Sequence, residues 1–221
     1  MADSVNNPPL QLRVARRGLM DRSFHVRDCP IFVIATEGEK TEKPYFESLF
    51  DDERVKVHVL PTGPDGLSSP KHVAARLKDA QKRYQLDVNK GDEFWLVMDT
   101  DHHIKSNHIA EFKNVCQEAS QKGIGLAISA PCFELWLYLH FDDCSPDMVD
   151  STVMEDHVRR YVPGYTHATP HAHAFTRDGV TIAIERARAL DANPEARIPD
   201  APGTRVYRLA ESLMQRLRQD I

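Results

Sequence analysis

Two acidic clusters stand directly after short apolar runs, and their residue types and spacing suit groups that share a cation. The first is Glu37, Glu39 and Glu42 in TEGEKTE, just after IFVIA. The second is Asp99 and Asp101 in MDTDHH, just after DEFWLV. Residues two apart in extended backbone point to one side, so Asp99 and Asp101 repel unless something positive lies between them. Mg²⁺ takes such carboxylates and fills its other positions with water and phosphate oxygens. Either cluster alone is ordinary turn composition; the pairing of two acidic strand ends is what points to a site. Lys40 either balances Glu37 and Glu39 or holds a phosphate of a substrate. His102 and His103, next to Asp101, are supporting or phosphate-contacting groups. Glu134 sits in PCFELWL, among apolar neighbours where an unpaired acid is costly to bury. It is either a capping or arginine-paired carboxylate or a further ligand beside Asp99. His171 and His173 lack the spacing partners of a zinc site, so a histidine-rich surface loop is the plainer reading.

The elements that must position these groups follow from periodicity. Residues 31–35 are apolar without alternation and too short for a helix, as in a strand buried on both faces. Thr41 is the expected cap of the next helix, with Pro44 in its first turn and Tyr45, Phe46 and Phe50 on its apolar face. Further strands are expected at 55–60, 93–98 and 125–129. Between them, a helix starts at Pro70 after Ser69, and another covers 106–121. An apolar helix opens at Ala130-Pro131. Strand and helix alternate with short connections, the pattern of a parallel-rich sheet covered on both faces. After residue 146 the sequence predicts helices only, over 147–161, 178–191 and 204–220, the last capped by Thr204. The expected division is a basic N-terminal arm over 1–28, an α/β core over 29–145 and a helical part over 146–221.

Arg13, Arg16, Arg17, Arg22 and Arg27 crowd the arm against only Asp21 and Asp28. The arm reads either as a solvated segment or as one that neutralises backbone phosphates. The chain has 221 residues, 41% hydrophobic and 28% charged, with a formal charge of −5. That balance argues against a general nucleic-acid coat but not against an enzyme acting on nucleic acid. No apolar run is long enough to cross a bilayer and the N-terminus has no signal-peptide pattern, so a cytoplasmic location without membrane contact is expected. Cys29, Cys116, Cys132 and Cys144 are widely spaced and read as buried thiols. Neither GxxxxGK[ST] nor GxGxxG occurs, which removes the P-loop and the dinucleotide-binding readings.

The segments EGEKTEKPYF (37–46), MDTDHH (98–103), SAPCFELWLYLHF (129–141), ERARAL (185–190) and TRVYRLAESL (204–213) together resemble the RloB-like family. The Glu-Gly and Asp-x-Asp strand ends resemble the Toprim fold of topoisomerases, primases and overcoming-lysogenization-defect nucleases. The resemblance implies an α/β, Toprim-like fold: a mainly parallel four-stranded sheet flanked by helices, with a helical C-terminal extension. It further implies that Glu37 is a general acid or base or a metal ligand, that Asp99 and Asp101 bind Mg²⁺ or Mn²⁺, and that Glu42 is a further ligand. Thr100 stands where the family commonly has a basic residue, and Ala130 where it usually has Asn. The expected function is a Mg-dependent nuclease cutting DNA or RNA, in phage defence. The expected partner, besides nucleic acid, is a restriction–modification or other defence-system protein, with a homodimer left open. Two alternatives stay open: a silent nucleic-acid or nucleotide-binding regulator, and a nucleotidyl- or phosphotransferase using the same metal site.

Overall fold

A computed structural model describes residues 29–38, 40–60, 69–84, 91–101, 103 and 108–218. The arginine arm, Glu39 and His102 lie outside the described residues. Strands β1 (Ile31–Thr36), β2 (Lys56–Leu60), β3 (Glu93–Asp99), β4 (Gly125–Ala130) and β5 (Gly203–Thr204) make one sheet in the order β2-β1-β3-β4-β5. The first four are parallel, and β5 runs antiparallel to β4. Helices α1 (Glu42–Phe50), α2 (Pro70–Tyr84), α3 (Ile109–Gln121) and α4 (Phe133–Tyr138) occupy the crossovers and the segment after β4. Helices α5 (Ser151–Arg159), α6 (Arg177–Leu190) and α7 (Val206–Arg218) follow. This is an α/β fold with a mainly parallel sheet, flanking helices and a C-terminal helical extension, consistent with Toprim-like architecture.

The unbroken apolar character of β1 has a simple cause. Phe32 and Ile34 enter one core with α1 and α4–α7, while Val33 and Ala35 enter another with α2 and α3. Both faces are covered, so neither parity of the strand tolerates a polar side chain. The C-terminal helices therefore share a core with α1 and the sheet, through residues such as Val180, Leu209 and Leu213. Tyr45 sits at the centre of that core. It accepts a hydrogen bond from Trp136 Nε1 at 2.8 Å, and its hydroxyl lies 2.9 Å from His140 Nε2. Burial drives the His140 imidazole down to about 3, so it is neutral.

Three sequence expectations change. The C-terminal part is not purely helical: Gly203 and Thr204 add an edge to β4, and Thr204 is a strand residue rather than a simple cap. Its hydroxyl pairs with the buried Ser129 hydroxyl at 2.9 Å, which fixes that short edge. Thr41 precedes α1 in helical backbone without capping it; its hydroxyl instead donates to the carbonyl of His167 at 3.3 Å. The apolar helix expected from Ala130-Pro131 is the short α4, which begins at Phe133. All four cysteines are free thiols; Cys116 and Cys132 are buried, Cys29 and Cys144 half-buried. No described helix is long and apolar enough to cross a membrane.

Candidate active site

Chain order makes the site's location. The connection from β1 leads to β2 on one side, and the next crosses to β3 on the other. The crevice at such a reversal, outside the carboxyl ends of the strands, is where open α/β sheets bind ligands. Glu37 follows the last residue of β1, Asp99 is the last of β3, and Glu134 lies in the first turn of α4 after β4. Glu42 opens α1 and turns back over the β1–α1 loop, where its Oε1 accepts the Gly38 N–H at 3.2 Å. A Cβ on Gly38 would stand 2.7 Å from Glu42 Oε2, so the Glu-Gly sequence leaves room for that carboxylate.

These acids feel one another. Burial raises the Asp99 carboxyl well above its ordinary range, and the charges of Glu37, Glu134 and Glu42 raise it further. The Phe133 N–H donates a compensating hydrogen bond to it. Glu42 is pushed up to about 7, first by burial and then, against its backbone hydrogen bonds, by Glu134 and Glu37. Glu134 behaves differently. Burial pushes it up, but hydrogen bonds from His167 and Cys132 outweigh that and hold it below the ordinary carboxylate value. The Tyr165 hydroxyl also donates to Glu134 Oε1, at 2.9 Å.

Two histidines frame the acids. His103 Nε2 lies 2.7 Å from Glu37 Oε1; His103 is buried and Glu37 half-buried. An ionised carboxylate only accepts, so this nitrogen carries the proton. The His103 ring stacks on Phe112 of α3, with centroids 4.8 Å apart, which fixes its plane. His167 spans Glu134 Oε1 at 2.7 Å from Nδ1 and Glu155 Oε2 at 3.2 Å from Nε2. Both nitrogens face carboxylates, and those contacts raise the imidazole above its ordinary value, so it is the charged form that fits.

The expected residues are therefore placed as follows. Glu37, Glu42, Asp99 and Glu134 lie close enough to act on one another's charges. Tyr165, His167 and Cys132 hold Glu134 together with its own N–H in the first turn of α4, and no arginine pairs with it among the described residues. Asp101 is buried, but β3 ends at Asp99 and Asp101 is in a helical turn, its N–H bonded to the Pro131 carbonyl at 3.2 Å. The two-residue extended spacing on which the Asp99–Asp101 pairing was based is not there. His103 faces Glu37 rather than outward, and Lys40 is exposed. Sequence reading does not connect His167, Tyr165 or Arg76 to these acids. The first two come from the loop after α5, remote in the chain, with no spacing signal tying them to Glu134. Arg76, on the basic face of α2, donates to the Thr36 carbonyl at the end of β1.

The donors at this crevice are carboxylate oxygens, the type that Mg²⁺ and Mn²⁺ prefer. Among the described residues, no three His, Cys, Asp or Glu side chains are already gathered at metal-holding distances. Mutual repulsion and a desolvated Asp99 nonetheless fit a cation as the missing charge.

The family model for RloB-like proteins matches residues 32–213, from the second residue of β1 to the middle of α7. The chain belongs to the RloB-like family. No curated protein and no solved structure matches it. Membership ties this RloB-like chain to a nuclease-associated, Toprim-like fold whose members handle nucleic acid and commonly use divalent ions.

Proposed function

We propose that this RloB-like protein is a divalent-metal-dependent nuclease that hydrolyses phosphodiester bonds of DNA or RNA. What supports the reading above all is the meeting of Glu37, Glu42, Asp99 and Glu134 at the β1–β3 switch point, where burial and then the other three acids drive Asp99 up. Asp99, Glu42 and Glu134 would hold the cation, with Asp101 as an adjoining acid; bound there, it supplies Lewis-acid polarisation of a phosphate and a more acidic water. Glu37 takes the proton from the attacking water, and His103 keeps its carboxylate oriented through the 2.7 Å contact. Arg76 and Lys40 stand near the same strand end to meet phosphate oxygens, and the arginines of the 13–27 segment extend that contact along a backbone. His167 keeps Glu134 ionised, hence ready to serve as a ligand.

The test is cleavage of plasmid, single-stranded DNA, total RNA and tRNA, with Mg²⁺ and Mn²⁺ separately. The expected result is cleavage that needs a divalent cation and falls by about 10²–10⁴-fold in Glu37→Gln while substrate binding persists. Cleavage that survives both chelation and Glu37→Gln would overturn the mechanism. A nucleotide left covalently on the protein would instead mark a transferase.

A further inference from the structure

At the opposite end of β4 from the acids, the structure has a second cavity, of about 510 Å³. Its floor is Ile124, Gly125 and Leu126 at the start of β4, its sides are Trp95 and the segment Pro194–Arg197, and Arg208 stands at its edge. The volume is that of sites for small organic ligands.

The wall is built, not draped. Arg205, 1% exposed, pairs with Asp191 at 2.8 Å and donates to the carbonyls of Asn193, at 2.6 Å, and Ala196. Arg208 donates to the Pro194 carbonyl at 2.6 Å. Two guanidiniums thus pin three carbonyls, those of Asn193, Pro194 and Ala196, in the loop that faces β4.

The floor offers a backbone edge. The Arg205 N–H donates to the Ile128 carbonyl, and Ser129 accepts from Thr100 on the β3 side. By the two-residue alternation of a strand, the N–H and C=O of Leu126 turn to the same outer edge as those of Ile128. Continuing the β4–β5 register, Ser129 with Thr204 and Ala130 with Gly203, would pair Leu126 with Tyr207. Tyr207 is already in α7, so the sheet cannot continue there. Among the described residues nothing bonds this donor–acceptor pair, and it fronts the cavity.

The charge is positive by a small margin. Asp191 is shared between Arg205 and Arg208, which leaves one of those cations uncancelled. Arg197 at the mouth is exposed and forms no ion pair among the described residues, and Glu195 beside it is exposed.

We infer that this cavity is a second ligand site, separate from the acidic crevice, that takes a nucleoside monophosphate. The adjacent N–H and C=O of Leu126 match the donor–acceptor edge that every nucleobase presents. Ile124 and Leu126 give that base an apolar floor, Glu195 a carboxylate for ribose hydroxyls, and Arg197 with Arg208 the phosphate contact. The inference stands whether or not the acidic crevice is a nuclease site.

Titration of the full-length protein with AMP, GMP, CMP and UMP, without divalent cation, tests it by tryptophan fluorescence. Trp95 lines the cavity, whereas Trp136, fully buried in the core that the two share, is not among the lining residues. At least one nucleotide should change the Trp95 emission, with the free nucleoside and inorganic phosphate each binding more weakly. Arg197→Ala, at an exposed position, should weaken that binding by about tenfold, and Ser120→Trp, which fills the rim, should abolish it. Asp99→Asn should leave it unchanged. Absence of binding at about millimolar nucleotide, a concentration typical of weak sites, would overturn the inference. So would binding indifferent to Arg197→Ala and Ser120→Trp, or binding lost in Asp99→Asn, which would assign the nucleotide to the acidic crevice.

Discussion

Asp99 and Glu42 make the chemistry of this protein a question of where protons and cations go. Both are desolvated carboxyls beside other carboxyls, so the folded state holds protons that the unfolded chain releases. The sign follows. A carboxyl raised in the folded state costs nothing while protonated in both states, and its cost grows as pH climbs from the ordinary value towards the folded one. For Glu42 that window runs from 4.5 to about 7. His167, raised by Glu134, works in the same direction: its stabilising contact is complete below 6.5 and is lost as pH rises through the folded value. Metal-free protein should therefore lose thermal stability between pH 5 and pH 8, about the interval these groups span. Added Mn²⁺ should flatten that slope, because the cation takes the place of the protons. Melting curves across that range, with chelator and with Mn²⁺, check this; a slope that Mn²⁺ leaves untouched would mean that the acids do not share a cation.

At the scale of elements, the strands that carry the acids were legible because each is short, apolar and followed by polar turn residues. Burial on both faces of the sheet leaves that mark in IFVIA and DEFWLV. The same logic could not reveal β5, since two residues, Gly203 and Thr204, carry no periodicity. It also misplaced Asp101, because the sequence does not say at which residue β3 stops being extended. His167 was illegible for another reason: its partner Glu134 is held across loop structure, and contacts of that kind have no local pattern. The rivet between Asp191 and Arg205 belongs here too. It ties the segment after α6 to the start of α7, both partners being nearly inaccessible. Burial would push Asp191 up, but Arg205 and Tyr207 hold it below the ordinary value. Asp191→Ala strands the Arg205 charge in the interior, and such losses cost about 3–5 kcal/mol. Urea denaturation should show that drop; a change below about 1 kcal/mol, the size of an exposed pair, would demote the rivet to a surface contact.

For the whole molecule, the proposed function requires an acidic chain to meet a polyanion, and the two-sided sheet separates its charges accordingly. The sheet brings four carboxylates to one crevice, while basic side chains such as Lys71, Lys78 and Lys82 lie on the exposed face of α2. The negative balance of −5 thus includes carboxylates gathered at one crevice, the site proposed to take a cation, rather than spread over a surface that repels phosphate. The C-terminal helices do more than extend the chain. Their loops supply Tyr165 and His167 to Glu134, and their apolar faces close the core around Tyr45. The central claim, that these acids jointly hold one divalent cation, is tested most directly by calorimetric titration of Mn²⁺ into the wild type and into Asp99→Asn. Saturable binding by the wild type is expected, weakened by at least about tenfold in the variant through loss of a charged ligand. The metal-free variant should also melt about 2–4 °C higher, because the folded state no longer has to take up a proton at that buried position. Equal Mn²⁺ affinity in the two proteins would contradict it.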